Sequence, residues 1–379
     1  MTFFKNIKAP EMKELVYYLQ YCFPHITEPM KAQGHNYSTK HINTYHVEDG
    51  IWTHTMMACL IADKNKVSKI NKIAILLHDI GKPLSIINMD DIERRRFIGH
   101  EGISVFMSIN ILKDLMSIGV IDKDEMLNIL YIISYHGLLF EFIEDGKEKN
   151  EKKLLNYFKG LDIFKEYVSQ VRSDSGGRFF LNGNYEKEHS DKLGDTIYGP
   201  AFIDRNKEVF QVKPIVDNTL PYITILMGPM CAGKSTWVKE NITNEVIISR
   251  DLEIEKSYFN KYGKIDTYNT MFFDMTKEES DIIDKILVAK YVKTMRNKEN
   301  MIIDMTNISK KSRRRYLSQF KKGSYMRHGV VFLKDYEDIK KCATSRKGKE
   351  VRTSILIDKM RGFMMPGYEE FDKIDYIIL

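Results

Sequence analysis

The stretch "YITILMGPMCAGKSTWVKENI", Tyr222 to Ile242, decides how the second half of this chain folds. It opens as an apolar, β-rich run, then matches GxxxxGK[ST] and continues in a helix-like segment. A strand before and a helix after are the context in which that pattern builds an anion cradle. Gly228 and Gly233 let backbone N–H groups close around phosphates, Lys234 reaches the outer phosphates, and Ser235 takes Mg2+. Cys231, inside the loop, reads as a small residue without chemistry of its own.

Working outward toward the C-terminus, short β-rich runs alternate with helical stretches: "EVIIS", "NMIIDM", "GVVFLK" and "DYIIL". Such alternation predicts βαβ units and a parallel sheet. Asp251 ends "VIISRD", where a side chain falls at the carboxyl edge of the sheet. It has two readings, a base that takes a proton from a hydroxyl nucleophile or an N-cap for "LEIEKSYF". In "IIDMTNISKKSRRR", Asp304, Thr306 and Asn307 fall at the same edge, and the run Lys310 to Arg315 reads as a solvated helix face. Late in the chain "CATSRKGKEVRTSI" presents Arg346 and Arg352, which could fold over a nucleotide and stabilise charge on a transferring phosphoryl group.

Upstream the grammar differs. From Glu11 to about Val171 apolar residues recur at helical steps, as in "ISVFMSINILKDLMSI" and "MLNILYIISYHG". Gly, Asn, Ser and Asp then gather without periodicity. Two domains of different class are expected: an all-α domain over 1–175, a connecting region over 176–219, and an α/β domain with a parallel sheet over 220–379. Of 10 histidines, His25, His35, His41, His46, His54, His78, His100 and His136 fall in the helical part. In "LLHDIGKP" His78 and Asp79 are adjacent, and the helix is expected to end at Gly81. Asp79 has two oxygens and could bridge two cations. His54, His100 and His136 would add imidazoles and Asp174 a carboxylate, a donor set that suits Mn, Fe, Co, Ni or Zn better than Ca. Lys82 either neutralises a phosphate oxygen or caps the helix C-terminus.

The bulk properties exclude little but agree. Across 379 residues, 43% apolar and 29% charged residues are ordinary for a globular protein, and no apolar run reaches membrane-spanning length. Cys22, Cys59, Cys231 and Cys342 are widely spaced, which predicts neither disulfides nor a zinc knuckle. The N-terminus carries no secretory pattern, so a cytoplasmic protein with no membrane partner is expected. The net charge of +6 permits a nucleic acid partner without arguing for one.

The ordered series His54, His78–Asp79, His100, His136, Asp174 resembles the HD-domain phosphohydrolases. The resemblance implies one metal held by His54, His78, Asp79 and Asp174, and a second held by His100 and His136 with Asp79 bridging; His46 looks like an extra site histidine. The later series resembles the P-loop 5′-hydroxyl polynucleotide kinases: the loop itself, "SRD", "DMTN", the lid arginines and "MMPGYEEFDKI". It implies ATP or another NTP with Mg2+, bound through Gly228, Gly233, Lys234, Ser235 and Thr236, with Asp251 as base and Arg346 and Arg352 in the lid. Where many members carry an arginine three residues after the base, this chain has Ile254.

The order of the two halves is similar to the HD-Pnk family of end-healing enzymes. By that resemblance the chain removes a 2′,3′-cyclic, 2′- or 3′-phosphate with one or two divalent transition metals. It then phosphorylates 5′-hydroxyl RNA or DNA ends, preparing them for a nucleic acid ligase. The rival expectations are an HD nucleotidase or phosphodiesterase fused to a small-molecule kinase, and a nucleotide-gated binding protein.

Overall fold

The computed structural model describes residues 3–36, 43, 46–89, 94–139, 154–179, 216–217, 219–320 and 323–379. Most of the expected connecting region and His41 lie outside these residues. The chain divides into two compact units: Met1–Lys213 with Met360–Gly367, and Pro214–Lys359 with Tyr368–Leu379.

The first unit is helical: α1 (Met12–Cys22), α2 (Pro24–Ala32), α3 (Ile51–Lys64), α4 (Lys69–Leu77), the short α5 (Lys82–Ser85), α6 (His100–Ser117), α7 (Lys123–Tyr135) and α8 (Leu161–Gly176). Local signals set several starts. The Ser68 hydroxyl accepts from the Asn71 N–H at the head of α4, and Asp122 and Glu125 form a reciprocal capping box on α7. Helix α6 buries Gly102 to Ile109 without interruption, so it runs through the core rather than along its surface. One antiparallel pair, β1 (Ile87–Met89) with β2 (Arg94–Arg96), interrupts the otherwise helical unit.

Gly81 corrects an expectation. Helix α4 ends at Leu77, and Gly81 has φ −81°, an ordinary right-handed value, so it is no left-handed helix stop. The glycine is needed for closeness instead. A Cβ there would meet the His100 carbonyl oxygen at 2.5 Å and the Ser104 nitrogen at 2.7 Å. The bare backbone lets the His78–Gly81 turn lie against the start of α6, where the Ser104 hydroxyl accepts from the Gly81 N–H at 2.9 Å.

In the second unit all five expected strand segments form: β3 (Tyr222–Met227), β4 (Val246–Ile248), β5 (Met301–Ile303), β6 (Met326–Leu333) and β7 (Lys373–Ile378). They make one parallel sheet in the order β4-β5-β3-β6-β7. The intervening helices are α9 (Lys234–Asn241), α10 (Arg250–Tyr262), α11 (Tyr268–Phe273), α12 (Lys277–Arg296), α13 (Lys310–Leu317), α14 (Tyr336–Ser345) and α15 (Thr353–Arg361). Parallel strands covered on both faces read as continuous apolar runs, which is how "YITILM" and "GVVFL" read. Leu226, Ala232, Val238, Ile302, Val330 and Phe332 form a core beneath the loop after β3. Because β3 has β5 on one side and β6 on the other, the loop opens at the crevice where strand order reverses.

The basic run Lys310 to Arg315 is helix α13, but not a uniformly solvated one. Arg313 is fully buried and makes two bonds of 2.8 Å to the Glu370 carboxylate. Its position on the inward stripe of the helix decides its burial, and the carboxylate partner satisfies the charge.

Candidate functional sites

In the first unit α3, the C-terminal end of α4, the start of α6, the end of α7 and the last turns of α8 bring six side chains together. The two oxygens of Asp79 face different partners. Its Oδ2 lies 3.2 Å from His78 Nε2 and 3.7 Å from His54 Nε2, and His54 Nε2 lies 2.9 Å from Asp174 Oδ1. Its Oδ1 lies 3.2 Å from His100 Nε2 and 3.8 Å from His136 Nε2. The ligand atoms of His54, His78 and Asp174, and those of His78, Asp79 and His136, each fall within 4.8 Å of one another.

The backbone fixes the tautomers. The Nδ1 of His78, His100 and His136 sits 2.7, 2.8 and 2.7 Å from the carbonyls of Ile75, Phe97 and Ile133. Those carbonyls can only accept, so each Nδ1 carries the hydrogen and each Nε2 turns a lone pair inward. Buried and without a hydrogen-bond partner are His78 Nε2 and both oxygens of Asp79. Buried acceptors converging on one another need a cation or a proton between them. The donor set therefore fits divalent metal, and imidazole with carboxylate is the chemistry of a borderline transition metal.

Electrostatics set protons in competition with a cation at these atoms. Burial opposes a charged ring at His78, yet Asp79 and Asp174 outweigh it and raise its pKa to about 9. Burial, with His100 and His78 beside it, lowers His136 to about 4. Burial alone would raise Asp79, but His78 and Lys82 hold it well below the usual carboxylate range.

A second ring surrounds the cluster. Lys82 Nζ stands 2.7 Å from Asp79 Oδ2 and 3.1 Å from His35 Nε2, inside the site rather than at a helix C-terminus. His35 and His46 stack at 4.0 Å. Two residues that sequence reading missed complete it. Glu48 Oε1 lies 2.8 Å from His46 Nδ1 and 3.1 Å from His54 Nδ1, and Arg178 reaches Asp174 Oδ2 at 2.9 Å. Arg178 stands four residues after Asp174, one helical turn on, a spacing that could have flagged it. Glu48 offered only its place two residues after His46.

In the second unit the loop between β3 and α9 takes its shape from Gly233, which caps α9 at φ +97°, and from Cys231 at φ +62°. Lys234 Nζ, buried, donates to the carbonyls of Gly228 and Pro229 at 2.8 and 2.6 Å. Burial lowers its pKa to about 8 against the pull of Asp304 and Asp251. Asp304 moves oppositely: burial raises it despite Lys234. Ser235 and Thr236 are exposed at the N-terminus of α9. Burial, with the Cys342 thiol beside it, pushes the Cys231 thiol up to about 11, so it stays protonated and unreactive. Thr306 accepts from the Gly228 N–H through its carbonyl at 2.9 Å, and buried Asn307 donates to Leu226 O at 2.9 Å; both support the loop from beneath.

Asp251 is the second residue of α10, and Ser249 holds the N-cap position. The Tyr268 hydroxyl donates to Asp251 Oδ1 at 3.0 Å, and Lys349 pairs with Oδ2. Tyr268 and Lys349 belong to no motif and were invisible in the sequence. Arg346 follows α14 within hydrogen-bonding reach of Cys231, whereas Arg352 is exposed just before α15. Ile254 is buried and lines a small hollow with Met271 and Ile283.

A family model described as an AAA domain matches residues 223–364, which takes in four of the five strands, β3 to β6, and the helices between them. No curated protein matches the chain. The match and the five-stranded parallel sheet make the C-terminal part a P-loop domain of the nucleotide-kinase type, and such a domain implies nucleotide and Mg2+. Among the described residues no helix is long and apolar enough to cross a membrane.

Proposed function

We propose that the chain heals broken nucleic acid ends, with the P-loop unit phosphorylating a 5′-hydroxyl and the histidine unit removing a 2′,3′-cyclic, 2′- or 3′-phosphate. The reading is supported above all by one pairing: a carboxylate, Asp251, within electrostatic reach of the Lys234 cradle, and in the same chain four imidazoles converging on Asp79 and Asp174. A device that adds phosphate and one that removes it would be futile on the same atom. They are complementary on the two ends of a cut strand, whose product a ligase can join.

In the kinase unit Gly228, Gly233, Lys234, Ser235 and Thr236 would hold ATP or another NTP, with Mg2+ on Ser235. Asp251 would accept the proton of the 5′-hydroxyl as its oxygen attacks the γ-phosphorus, the bond from that phosphorus to the β,γ-bridging oxygen breaks, and the nucleoside diphosphate leaves. Lys234, and the lid arginines Arg346 and Arg352, would balance the charge that develops on the transferred group. In the histidine unit His54, His78, Asp79 and Asp174 would hold one cation, and His100 and His136 with Asp79 a second. A bound divalent transition metal (Mn, Co, Ni, Fe or Zn) supplies a hydroxide near neutral pH and polarises the phosphate. Lys82, beside Asp79, would neutralise a phosphate oxygen, while Glu48 and Arg178 steady His54 and Asp174.

One observation favours a second reading. Ile254 is buried and apolar, so that position offers no cation to an acceptor's phosphate, as suits a kinase of small molecules joined to a nucleotidase. Kinase assays with nucleosides, nucleotides and 5′-hydroxyl oligonucleotides in parallel separate the two. End healing requires oligonucleotides to be preferred in kcat/KM; phosphorylation of the monomers alone would replace it with the second reading.

A further inference from the structure

Three aromatic rings lead outward from Asp251. Tyr268, whose hydroxyl donates to Asp251 at 3.0 Å, lies nearly parallel to Phe272, with centroids 6.0 Å apart and 19° between planes. Phe273 follows edge-on at 5.8 Å. All three stand on the six-residue helix α11, where Tyr268 and Phe272 share a face at a four-residue step. Met271, 2% exposed, pins that helix against Ile254 and Ile283. The phenylalanines face the other way: Phe272 is 43% exposed and Phe273 79%. Lys349 stands 3.7 Å above the Tyr268 ring while pairing with Asp251, so the series is joined to the reacting carboxylate rather than isolated.

We propose that Phe272 and Phe273, tied to Asp251 through Tyr268, form the acceptor subsite, a stacking platform for the terminal bases of a single-stranded 5′-hydroxyl end. The inference rests on the end-phosphorylation reading above. When a 5′-oxygen lies at Asp251, the base of the same nucleotide is carried one ribose away. The ring series starts at the carboxylate through the Tyr268 hydroxyl and continues to Phe272, 6.0 Å from ring to ring. Every base has a π-face, so stacking holds an end without reading its sequence. It also needs no cation to grip a phosphate, which accords with the buried Ile254. Phe272 and Phe273 here position the substrate; they do not touch the reacting atoms.

The test uses the full-length protein with ATP and Mg2+ and two short single-stranded 5′-hydroxyl oligonucleotides, one with a normal 5′-terminal nucleotide and one abasic there. The wild-type protein should show an oligonucleotide KM about tenfold higher for the abasic strand, with kcat little changed. Phe272→Ala and Phe273→Ala should raise KM for the normal strand by a similar factor and erase the difference between strands. KM for ATP should hold, and Phe273→Trp should retain the wild-type preference. Equal KM values for the two strands in the wild type, or an unchanged KM in both alanine variants, would overturn the platform while leaving end phosphorylation intact. A change of oligomeric state in Phe273→Ala without a change in KM would make the face a protein interface instead. Phosphorylation of neither strand by the wild type would sink the underlying reading and the platform together.

Discussion

His100 Nε2 and His136 Nε2 face each other at 3.0 Å, although each ring already gives its Nδ1 hydrogen to the carbonyl three residues before it, Phe97 for one and Ile133 for the other. Two lone pairs at that distance repel unless a cation or proton lies between them. His54, His78 and Asp174 present the same situation on the other side of Asp79. The first expected outcome follows from the way Asp79 divides. Protein loaded with Co2+ or Ni2+ should lose about one equivalent of metal in His136→Ala and most of both in Asp79→Ala, as read by elemental analysis after desalting. Saturating metal should also raise the melting temperature of the wild type, since ligand at about 100 times its Kd adds about 2.7 kcal/mol. No rise on adding metal would contradict the assignment.

Gly81→Ala probes the same site without touching a ligand. Its Cβ would fall 2.5 Å from the His100 carbonyl oxygen, backbone that cannot yield as a flexible side chain can. Overpacking of this kind costs about 1–3 kcal/mol. Because His100 begins α6, metal affinity should fall together with stability.

Asp251→Asn should lower the kinase kcat by roughly 10²–10⁴-fold while leaving nucleotide affinity near wild type. The carboxylate is the proton acceptor, and Lys234 with the loop amides holds the phosphates. A parallel loss of ATP binding, measured by calorimetry, would mean that Asp251 shapes the nucleotide site instead.

The lowered pKa of Lys234, about 8, gives a pH signature. The protonated ammonium that attracts a triphosphate is lost from the free protein as pH rises through about 8. ATP affinity should therefore weaken by up to about tenfold per pH unit above that point. Lys234→Arg, which stays protonated, should flatten the slope even if it binds more weakly. The sign for folding is opposite. Between about 8 and the ordinary 10.5 the unfolded chain binds more protons at this residue than the folded one, so its contribution to stability rises with pH across that window.

Arg313→Met should destabilise the second unit by about 3–5 kcal/mol, because it removes the cation paired with the buried Glu370 carboxylate. Removing both charges, Arg313→Met with Glu370→Leu, should recover much of that loss in a denaturant melt.

What the sequence disclosed and what it hid divide along physical lines. The inner strands β3, β5 and β6 were legible because strands buried on both faces are continuous apolar runs, and the loop at Gly228–Thr236 because phosphate cradling demands particular residues at fixed spacing. His54, His78, Asp79, His100, His136 and Asp174 were legible as an ordered series, and the structure gathers all six. Glu48 and Arg178 were not, since a residue that steadies a ligand is fixed by tertiary contact and follows no rule of composition. Gly81 was misread because a helix-ending glycine and a closely approached one look alike in sequence; only the Ser104 backbone distinguishes them. The run Lys310 to Arg315 was misread for a similar reason, since nothing local announces that Glu370 lies over the third residue after the Lys310–Lys311–Ser312 stretch begins, Arg313. Tyr268 and Lys349 reach Asp251 across 17 and 98 positions, separations at which no motif operates.

The central claim is that one chain carries two independent chemistries for the two ends of one strand. It is tested most directly by a single RNA bearing a 5′-hydroxyl and a 2′,3′-cyclic phosphate, incubated with protein, ATP, Mg2+ and a panel of transition metals, and resolved by mass. The account predicts that wild type converts both ends, that Lys234→Ala converts only the 3′ end, and that Asp79→Ala converts only the 5′ end. An RNA unchanged at both ends while free nucleotides are consumed would contradict it.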